Sequence, residues 1–143
     1  MQALSIVSHS ERQTFELGKK LSASFVSGDV VVLEGPLGSG KTVFVRGLVA
    51  GRGLTETAVN SPSFTMVNEY PGEKPLYHFD LYRINDPREL YEMGFDDYLF
   101  RDGLIVIEWG TKAEYLLPDK YYLVECRIVG ESDREINLSL VQK

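Results

Sequence analysis

The chain has 143 residues, enough for one compact domain with a core of ordinary size. Hydrophobic residues make up 43% and charged residues 25%, globular values that exclude a disordered chain. A formal net charge of −6 excludes binding to nucleic acid or to an anionic membrane through bulk charge, which leaves local patches or a partner protein.

Cys126 is the one cysteine, so no internal disulfide can form and a reducing compartment is expected. The stretch Met1-Gln2-Ala3-Leu4-Ser5-Ile6 has neither a basic start nor a long apolar run. No signal peptide is expected, and with no run of 18 apolar residues the protein is expected in the cytoplasm, away from membrane.

In chain order, Ser10-Glu11-Arg12-Gln13 has the S-x-x-Q spacing of a capping box and opens a helix. Leu17, Leu21 and Phe25 recur every four residues and give that helix a buried stripe. Gly28-Asp29 turns the chain into the run Asp29-Val30-Val31-Val32-Leu33-Glu34, which is β-branched and reads as a buried strand. Gly35-Pro36-Leu37-Gly38-Ser39-Gly40-Lys41-Thr42 follows and fits G-x-x-x-x-G-K-[ST], the phosphate-binding loop. Val43 to Val49 then reads as a helix with one apolar face, stopping near Gly51-Arg52-Gly53. Strand, glycine loop and helix are the context such a loop requires. The glycines let backbone N–H groups turn onto phosphate, and the helix dipole adds to them. Leu37, Gly38, Ser39 and Gly40 are expected to cradle the phosphates. Lys41 is expected to reach the β/γ oxygens, and Thr42 to put its hydroxyl on Mg²⁺.

A loop from Thr55 to Asn60 leads into Ser61-Pro62-Ser63-Phe64-Thr65. The hydroxyls of Ser61, Ser63 and Thr65 stand where nucleotide switches sense a γ-phosphate, although a plain Ser-Pro turn explains them as well. Phe64 to Tyr70 and Leu76 to Asp80 read as two strands joined by the five-residue turn Pro71-Gly72-Glu73-Lys74-Pro75. Asp86-Pro87-Arg88-Glu89 starts a further helix that Gly94 ends. Leu104-Ile105-Val106-Ile107 is a second fully apolar run, expected as a central strand, and it ends in Glu108-Trp109-Gly110. Tyr121 to Ile128 and Glu135 to Val141, split by Gly130-Glu131-Ser132-Asp133, read as a second hairpin or paired edge strands. The expected architecture is one α/β domain over 1–143, with a parallel central sheet, antiparallel additions and flanking helices.

Two acids close apolar strands, Asp80 and Glu108, and ligands in open α/β sheets gather at the carboxyl ends of strands. Either carboxylate could bind Mg²⁺ or polarise an attacking water; a strand ending in a solvated acid is the plain alternative. Glu108, after the more apolar strand, is the better metal candidate, whereas Asp80 could be structural and pair with Arg83. His78 has no Cys or His partner at metal spacing and reads as a half-buried strand residue. Trp109 reads as a surface anchor beside the site or as packing. Thr111-Lys112-Ala113-Glu114 approaches the [NT]-K-x-D guanine signature but has Glu for Asp, which argues against a GTPase.

The order of these motifs resembles the TsaE (YjeE) family: the glycine loop at 35–42, Asn60-Ser61-Pro62-Ser63-Phe64, Tyr77-His78-Phe79-Asp80-Leu81-Tyr82-Arg83 and Val106-Ile107-Glu108-Trp109. The likeness runs from the Thr14 region through Arg134, with Ser63 where the family usually has Thr. It implies a small bacterial P-loop ATPase needed for threonylcarbamoyladenosine in tRNA. On that resemblance Lys41, Asp80 and Glu108 form the catalytic group, with Thr42 and Glu108 as the protein ligands of Mg²⁺. The 61–65 loop acts as a switch, and Glu11, Thr14, Ser132 and Arg134 come near the adenine of ATP or ADP. Trp109 would meet a partner. The partners implied are TsaD and TsaB, with tRNA reached through them. Against this stand a small-molecule or nucleoside kinase, which needs an arginine-bearing lid and a second pocket that the insertion after Thr42 is too short to supply, and a nucleotide-dependent binding module with negligible hydrolysis.

Overall fold

The computed structural model describes residues 3–55 and 67–143. Valine-rich β2 (Val30–Glu34) lies at the centre, with Val31, Val32 and Leu33 fully buried. A strand with core on both faces needs parallel neighbours. It has two, β5 (Leu104–Glu108) on one side and β6 (Lys120–Ile128) on the other. β4 (Leu76–Asp80) runs parallel to β5. Antiparallel strands finish both edges: β3 (Val67–Tyr70) on β4, then β7 (Arg134–Gln142) on β6, and β1 (Leu4–Ser8) on β7. The sheet order is therefore β1-β7-β6-β2-β5-β4-β3.

The helices cover both faces. α1 (Glu11–Ser22) and α2 (Lys41–Gly51) lie on the face formed by Val31, Leu33, Val106 and Val124. α3 (Arg88–Glu92), α4 (Phe95–Leu99) and a 3₁₀ helix (Gly110–Leu116) cover Val32, Phe79, Ile105 and Ile107 on the other. The two long helices cross in backbone contact. A Cβ on Gly47 would stand 2.2 Å from the Phe15 carbonyl oxygen, and one on Gly18 would stand 2.4 Å from that of Phe44. That crossing fixes α2, and hence the glycine loop, against the sheet.

The expected α/β architecture stands, with local differences. Ser10 caps α1 by accepting the Gln13 amide at 3.1 Å, but the Gln13 side chain reaches back to the amide of His9 rather than of Ser10. Asp86 accepts the Arg88 amide at 2.9 Å at the start of α3. Gly94, with φ of +89°, ends α3 and at once opens α4, a helix that the sequence reading lacked. β1 and the 3₁₀ helix were also missing from that reading. The five-residue turn between β3 and β4 is as expected. Ser61, Ser63 and Thr65 fall outside the described residues. No helix among the described residues is long and apolar enough to cross a membrane.

Candidate functional site

Alternation along β4 and β5 builds one wall of the site. Leu76, His78 and Asp80 share the face of α2 with Leu104, Val106 and Glu108, and Asp80 lies in register with Glu108. Each row is apolar at its start and polar at its carboxyl end. The two strand-end acids are thus brought side by side beneath the N-terminus of α2. Neither ends as a solvated acid. Glu108 is 5% exposed, and Asp80 is partly buried. Burial pushes the Asp80 carboxyl above its ordinary range, Glu108 adds to this, and the Tyr82 amide donating to Oδ1 at 2.9 Å works against it. The ion pair with Arg83 that the sequence allowed does not form; the carboxylate takes the Tyr82 amide instead.

The loop supplies the other wall. Gly35, Gly38 and Gly40 have φ of +148°, +81° and +99°, which side chains resist, so the glycine spacing is what this turn demands. Lys41 is buried at the start of α2, donates its Nζ to the Gly35 carbonyl, and lies 3.6 Å from the centroid of the Trp109 ring. Burial lowers its pKa, while Glu108, Glu34 and Asp80 act to raise it. Trp109 adopts left-handed backbone (φ 62°), the one non-glycine among the described residues to do so, and its ring meets Tyr82 at 5.1 Å. Its amide extends the β5–β2 ladder by donating to the Leu33 carbonyl at 3.0 Å.

Between these walls lies a cavity of about 710 Å³. Leu37, Gly38, Gly40, Lys41, Thr42, Asp80, Glu108 and Trp109 line it, together with Glu11, Thr14, Ser132 and Arg134. The structure therefore gathers the residues singled out in the sequence, with one difference inside the loop. Ser39 is fully buried, and its hydroxyl turns under the loop without a partner among the described residues. Its amide donates to the Pro36 carbonyl at 3.1 Å. Arg134 is tied to the loop, its Nε donating to the Gly38 carbonyl at 3.1 Å, while Thr14 shares a 2.7 Å hydrogen bond with Ser8 at the end of β1.

Several residues escaped the sequence reading. His9, Tyr82, Arg83 and Glu131 also line the cavity. Glu34 closes β2 as Glu108 closes β5, a signal that was legible, and its Oε1 accepts the Thr111 amide at 2.8 Å. His78 is not half-buried. It is 1% exposed, with Nε2 2.6 Å from Glu108 Oε2. None of Thr111 to Glu114 lines the cavity, in keeping with the reading against a guanine pocket.

The donor set suits a phosphate-bound Mg²⁺. Thr42 offers a hydroxyl and Glu108 a carboxylate whose second oxygen is not taken by His78. Mg²⁺ accepts one or two protein oxygens plus phosphate and water, so it needs no cage of side chains. No cage of three or more His, Cys, Asp or Glu occurs among the described residues.

A family model described as "Threonylcarbamoyl adenosine biosynthesis protein TsaE" matches residues 8–136. The Bacillus subtilis protein of the same description is 42% identical over 124 residues, covering 85% of this chain and 77% of its own. That of Treponema pallidum is 35% identical over 133 residues, covering 93% and 98%. The crystal structure of Bacillus subtilis YdiB superimposes with a TM-score of 0.80 at 31% identity, over 99% of this chain and 87% of that one.

Proposed function

The chain belongs to the TsaE family of threonylcarbamoyladenosine biosynthesis proteins, and on that premise we propose that it is a Mg²⁺-dependent ATPase serving that pathway. In this reading it hydrolyses ATP slowly by itself. Its turnover acts on a TsaB–TsaD complex that modifies adenosine 37 of tRNA, and it transfers no carbamoyl group. The observation that carries the reading is the meeting of Lys41, Thr42, Asp80 and Glu108 in one cavity under a glycine loop of phosphate-binding sequence.

The roles follow from the chemistry of the groups. The loop amides and the start of α2 face negative charge, and Lys41 swings from the Gly35 carbonyl to phosphate oxygens. Thr42 and Glu108 would hold Mg²⁺, which when bound offsets charge on the transferring phosphoryl group. Asp80, beside Glu108 and raised in pKa, is placed to accept a hydrogen bond from the attacking water. Glu11, Thr14, Ser132 and Arg134 close on the base. Trp109, in ring contact with Tyr82, gives a partner access to the phosphate end, and the γ-phosphate-sensing role falls to the 61–65 segment, which lies outside the described residues.

Phosphate release from ATP, with and without the TsaB–TsaD complex, tests the proposal. Slow release that the complex accelerates is expected, with ATP preferred over GTP. Release unaffected by the complex, or label appearing in a phosphorylated small molecule, would overturn it.

A further inference from the structure

His78 is the one histidine in the buried rows beneath the glycine loop. It stands on β4 opposite Val106, so Glu108, two residues further along β5, is its diagonal neighbour on the same face. Their side chains are 1% and 6% exposed. We propose that His78 is a positioning residue that holds the Glu108 carboxylate by one oxygen and turns the other toward the phosphate end of the cavity. This inference rests on the metal role given to Glu108 above.

The surroundings argue against simple filling. The neighbours in the two rows are Leu76, Leu104 and Val106, all fully buried, and a leucine would pack among them at less desolvation cost. The ring's one bond among the described residues runs to Glu108, because Nδ1 is buried without a partner. That pattern selects a tautomer. With the proton on Nε2, the ring donates to Oε2 and leaves only a lone pair unsatisfied. A proton on Nδ1 would leave a buried donor with no acceptor, which costs more.

The bond also settles a competition. The Lys41 ammonium and the Glu108 carboxylate attract each other, yet they form no ion pair in this structure. The torsion that turns a carboxylate is soft, so a fixed donor is needed to keep it from closing on the lysine. By holding Oε2, His78 keeps Glu108 Oε1 available for a ligand, while Lys41 rests on the Gly35 carbonyl. Hydrogen-bond partners of ligating side chains act in this way in metal sites, where their loss costs about 10- to 100-fold in metal affinity.

The experiment compares His78→Gln with His78→Asn. Gln carries an amide at the reach of Nε2; Asn carries one only at the reach of Nδ1. Binding of a non-hydrolysable ATP analogue is titrated with and without Mg²⁺ in each variant and in the parent, and the imidazole ¹⁵N shifts of the nucleotide-free parent are recorded. The metal-free affinity is expected to stay within about threefold in both variants. The gain on adding Mg²⁺ is expected to fall about 10- to 100-fold in His78→Asn and to be largely kept in His78→Gln. The shifts are expected to report the Nε2–H tautomer. Equal behaviour of the two variants, or an Nδ1–H tautomer, would overturn the proposal. Should the parent itself gain nothing from Mg²⁺, the metal reading of Glu108 fails, and the tautomer alone then decides whether His78 holds the carboxylate.

Discussion

The two faces of β4 carry different kinds of residue. On one face Leu76, His78 and Asp80 pass from core to site within five residues. On the other, Tyr77 and Phe79 stay in an aromatic cluster, where Phe79 meets Phe95 and Tyr98 edge-on, each at 5.1 Å. The first face holds Asp80, whose carboxyl burial pushes above its ordinary range, and His78, whose Nδ1 has no partner among the described residues; the second holds rings in favourable geometry, with the Tyr98 hydroxyl donating to Glu69 at 3.0 Å and the Tyr77 hydroxyl to the Asp102 carbonyl at 3.4 Å. One strand thus carries scaffold and chemistry back to back. Changes on one face should move stability, and changes on the other should move ligand binding.

The largest expected effect is on the aromatic face. Phe79→Ala removes a fully buried ring and should cost about 3–5 kcal/mol of unfolding free energy. Denaturant unfolding measures this, and nucleotide affinity of the folded fraction should change little. A loss of affinity with unchanged stability would merge the two faces into one.

A smaller effect is expected at Trp109, where left-handed backbone meets ring packing. Trp109→Ala loses the ring contacts with Tyr82 and Lys41 and keeps the strained conformation. Trp109→Gly loses the same contacts and relieves the strain, so it should be about 1 kcal/mol more stable than the alanine variant. Equal stability would show that the backbone relaxes without the ring. Both variants should dock to TsaB–TsaD more weakly than they lose nucleotide, as pull-down and titration can separate.

The smallest effect concerns Asp80. Burial raises its pKa above the ordinary 3.8, so its ionised form costs native stability at neutral pH, a cost relieved as pH falls through the raised value. Asp80→Asn keeps an oxygen for the Tyr82 amide and removes that cost. The nucleotide-free variant should melt about 1–3 °C higher at pH 7, with the advantage shrinking toward about pH 4, while turnover falls. A lower melting temperature at pH 7 would mean that Asp80 supports the fold.

Much of the apolar face and of the loop was legible in the sequence, because local signals dictate them: the valine run of β2, the apolar run of β5, the glycine spacing and the cap at Ser10. The α/β layering followed from their alternation. What was not legible depends on register. That His78 reaches Glu108 requires β4 to lie parallel to β5 with His78 opposite Val106, and neither strand states its partner. β1 was missed because an edge strand with Leu4, Ile6 and Val7 all exposed has no buried alternation to betray it. Gly94 was read as a stop, since a left-handed glycine ends one helix whether or not another begins. Glu34, by contrast, is legible as the acid that closes β2, in the same way as Glu108 closes β5. The grouping of Glu11, Thr14, Ser132 and Arg134 came from family likeness rather than from spacing, because these residues converge on the cavity from α1 and from the start of β7 with the turn before it.

Under the proposed function, the polar end of these rows binds Mg²⁺ together with nucleotide, with Glu108 as the protein carboxylate. Calorimetric titration of a non-hydrolysable ATP analogue into the parent and into Glu108→Ala, each with and without Mg²⁺, tests it most directly. The account predicts similar metal-free affinity in both proteins and a marked gain with Mg²⁺ in the parent. In Glu108→Ala it predicts little or no gain, with turnover lower by about a hundredfold or more as several kcal/mol of charge stabilisation is lost. An undiminished Mg²⁺ gain in Glu108→Ala would contradict it.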